Sequence, residues 1–113
     1  MKLKPYEHPV HLVIDMKPWA LSIPAQSKMI GLDGAEVQIN LNDFQIETAD
    51  WESILSNGKK ITLQLDHNFE TLDIPVLDAK VMEWKQIKES KVIHLHLTFL
   101  ESTLELTEFL AHI

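Results

Sequence analysis

Two residue types are missing altogether from this 113-residue chain: cysteine and arginine. Without cysteine there is no disulfide and no thiolate metal site, which fits a reducing compartment. Without arginine there is no planar guanidinium fork, so bidentate recognition of a carboxylate, a phosphate or a guanine edge is closed to this protein. Glycine is scarce, with Gly31, Gly34 and Gly58 the only three. No apolar run approaches the length of about 20 residues that a membrane-spanning helix needs. Met1-Lys2-Leu3-Lys4-Pro5 has the charge of a signal peptide's first part, but Tyr6-Glu7-His8-Pro9 follows instead of an apolar stretch. Positive charge is in the minority, 10 lysines against 17 acidic residues for a net charge of −7, which disfavours broad contact with nucleic-acid phosphates or anionic lipid. The expectation is a soluble, cytoplasmic protein that neither binds nucleic acid nor inserts into a membrane.

What is present points to strands. The length fits one domain spanning residues 1–113, and a hydrophobic fraction of 45% is enough for a modest core. Ala35-Glu36-Val37-Gln38-Ile39-Asn40-Leu41 alternates strictly, with Ala35, Val37, Ile39 and Leu41 on one face. Lys60–Leu65 repeats the pattern with Ile61, Leu63 and Leu65 inward. Val92–Phe99 repeats it again, placing Ile93, Leu95, Leu97 and Phe99 on one face and His94, His96 and Thr98 on the other. Val10–Ile14 is apolar on both faces except for His11, as in a fully covered strand. Trp19, Leu21 and Ile23 alternate with Ala20, Ser22 and Pro24, and Pro24 suggests a sheet edge or a strand end.

Between Leu72 and Trp84 the apolar phase changes, from Leu72, Ile74 and Val76 to Leu77, Ala79 and Val81. A bulge or bend near Pro75-Val76-Leu77 accounts for this, and barrels need such bends to close. Asn57-Gly58 and Asp66-His67-Asn68 read as turns between strands. Gly31-x-x-Gly34 reads as a tight turn with positive φ at a glycine. Asp50 to Ser56 reads as a short helical turn. Ser102-Thr103-Leu104-Glu105 is a capping-box pattern ahead of a helix whose apolar face is Leu106, Phe109, Leu110 and Ile113.

The order of these pieces carries a family likeness. A strand leads to Met29-Ile30-Gly31-Leu32-Asp33-Gly34-Ala35, and an alternating strand follows. Then come the Asn57-Gly58 turn, a second alternating strand, Ala79-Lys80-Val81-Met82-Glu83-Trp84, a strand ending Thr98-Phe99-Leu100, and a terminal helix. Over nearly its whole length the chain resembles a bacterial PilZ domain. That family's middle motif, D/N-x-S-x-x-G with a small residue and a strand after it, is matched at its end by Gly34-Ala35. Val81-x-x-Trp84 before a Phe-containing strand is similar too. Met29 and Gly31 stand where the motif has Asp or Asn and Ser. The family's R-x-x-x-R pair, which in typical members stacks on guanine and binds the phosphates of cyclic di-GMP, has no counterpart in Tyr6–His11.

The likeness implies an all-β antiparallel barrel of about six strands with a C-terminal α-helix. It implies a non-catalytic adaptor without a cofactor, acting on protein partners of motility, pilus or effector machinery. The degenerate ligand positions are Met29, Gly31 and Gly34. The alternative is a cyclic di-GMP receptor that uses Lys2, Lys4 or Lys28 in place of arginine.

Other chemistry is thin. Ser22, Ser27, Ser53, Ser56, Ser90 and Ser102 lie in no nucleophile motif, and Asp50 with Glu52 reads as a helix start. His94-x-His96 puts two imidazoles on one strand face, a pattern zinc can use if His8, His11, His67 or a carboxylate completes it; the simpler reading is a polar outer face, and no metal is expected. Trp19, Trp51 and Trp84 are core or interface material, with Trp51 the candidate partner surface because it lies in the least regular stretch.

Overall fold

The computed structural model describes residues 3–15, 18, 20–42, 54–56, 58–65, 76–86, 91–101 and 103–112. Seven strands appear among them: β1 (Lys4–Pro5), β2 (Pro9–Asp15), β3 (Ala20–Ile30), β4 (Gly34–Asn40), β5 (Lys60–Leu65), β6 (Val76–Gln86) and β7 (Val92–Phe99). One helix, α1 (Leu104–Ala111), follows. All pairings are antiparallel, in the order β1-β3-β2-β5-β6-β7-β4. A further β3–β4 pairing closes six of the strands into a barrel, with β1 outside it. The expected barrel of about six strands with a C-terminal helix is the observed fold. No helix among the described residues is long and apolar enough to cross a membrane.

Alternation decides which side chains enter the barrel. Ala35, Val37 and Ile39 of β4, Ile61, Leu63 and Leu65 of β5, and Ile93, Leu95, Leu97 and Phe99 of β7 are all buried in one cluster. Each large aliphatic side chain so buried stabilises by about 1.5–3 kcal/mol. β2 is not covered on both faces as its composition suggests: Val10, Leu12 and Ile14 are buried while His11 and Val13 are half-buried. Hydrophobicity on the outer face of a strand does not create a second layer to cover it.

Pro24 lies inside β3 rather than at its end, paired with His11 of β2. Ser27 N–H donates to the His8 carbonyl on the β2 side, so strand alternation turns the Pro24 nitrogen the other way. On that side the first β3–β4 pair is Gln26 with Gln38. The missing N–H therefore falls where β3 has no β4 neighbour, which is the local edge that proline requires.

The structure shows bulges that the sequence reading did not locate. The described irregularity of β6 lies between Val81 and Glu83, where Met82 is the extra residue against β7. Leu77, Ala79 and Val81 face inward before it, and Trp84 opposes inward-facing Leu95 after it. Leu72 to Pro75 lie outside the described residues. A second bulge, at Lys28, separates Ser27 from Met29 in the β3–β4 register.

The glycine reading also changes. Positive φ occurs at Gly58 (83°), not in Gly31-x-x-Gly34. Gly31 N–H donates to the Gly34 carbonyl at 2.9 Å, closing a β3–β4 hairpin over Leu32-Asp33. Gly34 is needed for space, because a Cβ there would sit on the Leu97 carbonyl oxygen.

Helix α1 is capped by Thr103, one residue later than the capping box suggests. Thr103 is extended, and its hydroxyl accepts from Leu106 N–H at 3.2 Å. Leu106, Phe109 and Leu110 are buried as expected; Ile113 and Ser102 lie outside the described residues. Phe109 meets Tyr6 edge-on at 5.4 Å, and Lys4 Nζ donates to the Leu110 carbonyl at 3.1 Å. These contacts hold α1 beside β1 and the β3–β4 hairpin. Ile54 and Leu55, just ahead of β5, join the same core.

Ser27 is fully buried and its hydroxyl has no hydrogen-bond partner among the described residues. An unsatisfied buried hydroxyl costs about 1–3 kcal/mol. Ser27→Ala keeps the Cβ and removes the penalty. Thermal unfolding of this variant should show a rise in Tm of about 4 °C, taking about 1 kcal/mol of gain; an unchanged or lower Tm would mean the hydroxyl is satisfied.

Candidate functional site

Two surface features stand out. The first lies on the outside of the barrel where the two bulged strands flank β4 and β7. Register places Met29, Glu36, His96 and Glu83 in one row across β3, β4, β7 and β6. Gln26, Gln38, His94 and Lys85 form the next row on the same face. Between them lies a cleft of about 240 Å³, lined in part by Lys28, Glu36, Glu83, Lys85, His94 and His96, with half-buried Trp84 beside them. The expected outward pair His94 and His96 is there, both half-buried.

The cleft's groups largely satisfy one another. His94 Nδ1 lies 3.2 Å from Gln38 Nε2, and His96 Nδ1 lies 4.0 Å from Glu36 Oε1. Lys28 pairs with Glu7 at 2.9 Å. The hydrogen bond and charge of Lys28 hold the Glu7 carboxyl below its ordinary range. Such a depressed carboxyl adds stability above its ordinary pKa and loses it as pH falls through the lowered value; both partners are exposed, so the effect is small. Among the described residues no group of three or more His, Asp or Glu is arranged to hold a metal ion. Among the described residues no serine or threonine lines the cleft beside its imidazoles, and its groups are placed for polar contacts.

The second feature is an apolar groove of about 640 Å³ between the β3–β4 hairpin, β1 and α1. Leu3, Ile30 and Leu32 lie on one side and Thr107 and Leu110 on the other, with Asp33 at the hairpin. Phe99 N–H donates to the Asp33 carbonyl, which brings the end of β7 against the hairpin, and Leu100 N–H donates to the Asp78 carbonyl of β6. Leu32, in the groove, is 44% exposed; Leu100, just after β7, and Leu104, the first residue of α1, are 44% and 71% exposed. Leu104 stands three residues before Thr107, on the same helical stripe.

The sequence candidates are scattered by this geometry. Gly31 lines the apolar groove, Gly34 closes the hairpin and is buried, and Met29 is half-buried two residues upstream. Lys4 is committed to the Leu110 carbonyl and Lys28 to Glu7. Lys2, His67, Trp19 and Trp51 lie outside the described residues. The leucine groove was not foreseen. No protein-family model matches this chain, and no curated protein matches it.

Proposed function

We propose that this chain is a non-catalytic, PilZ-like barrel that works by holding another protein. The observation that carries the reading is the groove at α1, lined by Leu3, Ile30, Leu32 and Leu110, with Leu32 44% exposed and exposed Leu104 one helical turn before Thr107 on the groove's helix wall. Single exposed leucines are ordinary, whereas several gathered around a groove mark an interaction surface. Among the described residues the groove's lining is largely apolar, which suits contact with another protein. A photo-crosslinking residue at Leu104, compared with one at exposed Lys60 on β5, tests this in the native cell. A protein adduct at position 104 that is absent at position 60 and lost with Leu32→Gln is expected. Equal labelling at both positions, or none, would overturn the reading.

Cyclic di-GMP is expected not to bind at micromolar concentration. Two phosphates and two guanines demand charge and planar donors together. Lys4 and Lys28 are engaged within the protein, Met29 and Gly31 bring no hydrogen-bonding side chain, and the net charge of −7 repels an anion. A charge-assisted hydrogen bond is worth about 1.5–3 kcal/mol. Lacking two therefore weakens affinity by roughly two to four decades. Isothermal titration decides it: saturable heat with a micromolar or tighter Kd would make the protein a nucleotide receptor with a rebuilt site.

A further inference from the structure

Pro24 leaves a gap in the barrel wall. The β3–β4 pairing ends at Gln26 with Gln38, so the next positions on the same outer faces, Pro24 of β3 and Asn40 of β4, stand apart. Leu41 N–H donates to the Lys91 carbonyl just before β7, and strand alternation therefore turns the Asn40 carbonyl toward β3. Pro24 has no N–H to give it. A cleft of about 570 Å³ opens there, with Pro24 and Ala25 on one wall and Gln38 and Asn40 on the other. Val92, opposite Asn40 on β7, and Pro9, opposite Gln26 on β2, extend the lining.

The polar groups of this cleft are carboxamides, two of them held in a fixed sense. Asn42 N–H donates to Asn40 Oδ1 at 2.9 Å, which leaves the Asn40 amide to present its NH2 as a donor. Gln38 Nε2 lies 3.2 Å from His94 Nδ1, which leaves Gln38 Oε1 as an acceptor. Gln26, half-buried opposite Gln38, adds an amide able to do both. Among the described residues no ionisable side chain lines the cleft.

We propose that this cleft binds a small, uncharged, polyhydroxylated ligand, a mono- or disaccharide. Each sugar hydroxyl donates and accepts at once. It therefore suits a wall where the Asn40 amide donates beside two acceptors, Gln38 Oε1 and the Asn40 carbonyl. The C–H face of the ring seats on Pro24 and Val92. The volume falls within the range of about 300–1,000 Å³ usual for small-molecule pockets. An anion finds no ammonium, and a cation no carboxylate, among the described lining residues. An extended peptide is the poorer occupant, because the β3 wall interrupts its row of backbone donors at Pro24. None of the cleft's lining residues belongs to the α1 groove, so the site stands or falls independently of the protein-contact reading.

NMR of the isotope-labelled whole protein reads the site directly, because the side-chain NH2 groups of Gln26, Gln38 and Asn40 give their own signals. Glucose, N-acetylglucosamine and maltose are the probes. At least one should move these signals saturably, with a Kd of about 1 mM, an affinity within reach of a few neutral hydrogen bonds. Asn40→Ala and Gln26→Ala should each weaken binding about tenfold, with unchanged Tm values certifying the fold. Binding indifferent to both variants would place the sugar elsewhere and overturn the proposal. No saturable shift with any of the three sugars also overturns it. Tighter binding of glucuronate or glucosamine than of every uncharged sugar would show that charge governs the site, and would overturn it too. A capped trialanine peptide that moves the same signals more strongly than the sugars would assign the cleft to an extended peptide instead.

Discussion

Gly34→Ala should lower stability by about 3 kcal/mol, the upper end of the ordinary overpacking range. Gly34 pairs with Thr98 in the β4–β7 seam. A Cβ built on it falls 3.2 Å from the Leu97 carbonyl carbon and 3.4 Å from Thr98 Cα, and overlaps the Leu97 oxygen. These are backbone atoms, so no side-chain rotation relieves the clash. The strands must part where the hairpin begins, and the Asp33 carbonyl, which accepts from Phe99 N–H, is drawn away with them. At about 4 °C per kcal/mol the Tm should fall by about 12 °C. Gly58→Ala is the natural comparison. Nothing lies within 4 Å of a Cβ there, but φ is +83°. Its cost is that of the left-handed conformation alone, about 1–2 kcal/mol. A Gly34→Ala protein that melts with the parent would show that the strands are not this close.

Phe109→Ala should cost about 3–5 kcal/mol, a large share of the total stability of about 5–15 kcal/mol typical of a small domain. Phe109 is fully buried, stacks edge-on with Tyr6 and sits between Leu106 and Leu110 in the core. An eight-residue helix has almost no stability of its own, so its structure depends on this anchor. The loss should concentrate there: amide exchange at 104–112 should accelerate more than exchange in β5 or β7. Exchange rising uniformly over the barrel would mean that α1 and the barrel unfold as one unit. A change in Tm of only a degree or two would mean that the helix is held by other contacts.

The inward faces were legible because a strand's period is two. Ile61, Leu63 and Leu65, or Ile93, Leu95, Leu97 and Phe99, could be assigned from alternation alone. Which strand lies beside which was not legible, and both surface features depend on that. Glu36 and Glu83 flank His96 only because β4 and β6 flank β7. Bulges belong to a strand pair rather than to a strand, so Met82 and Lys28 gave no local sign. The phase change expected near Pro75 could be read only from one chain segment, without the partner that defines register. The cap moved from Ser102 to Thr103 because both hydroxyls can cap a helix, and the docking of Leu106, Phe109 and Leu110 on the core selects between them. The leucine groove gathers residues from the Leu3-Lys4 segment, the β3–β4 hairpin and the later half of α1, whose proximity no local pattern encodes.

The β4–β7 seam has a kinetic consequence. Gly34 meets Thr98 and Asn40 meets Val92, so the strands that close the barrel are far apart along the chain. The β2–β3 and β3–β4 hairpins can assemble early from neighbouring segments, yet the outer edge of β4 must wait for β7. Loop-closure entropy is lost before that pairing returns any stability. Refolding from denaturant should accordingly run on the millisecond-to-second scale of non-local β topologies, not the microseconds of a helical bundle. Until the seam closes, the inner face of β4, with Val37 and Ile39, is exposed to neighbouring chains, which makes aggregation during refolding steeply dependent on protein concentration.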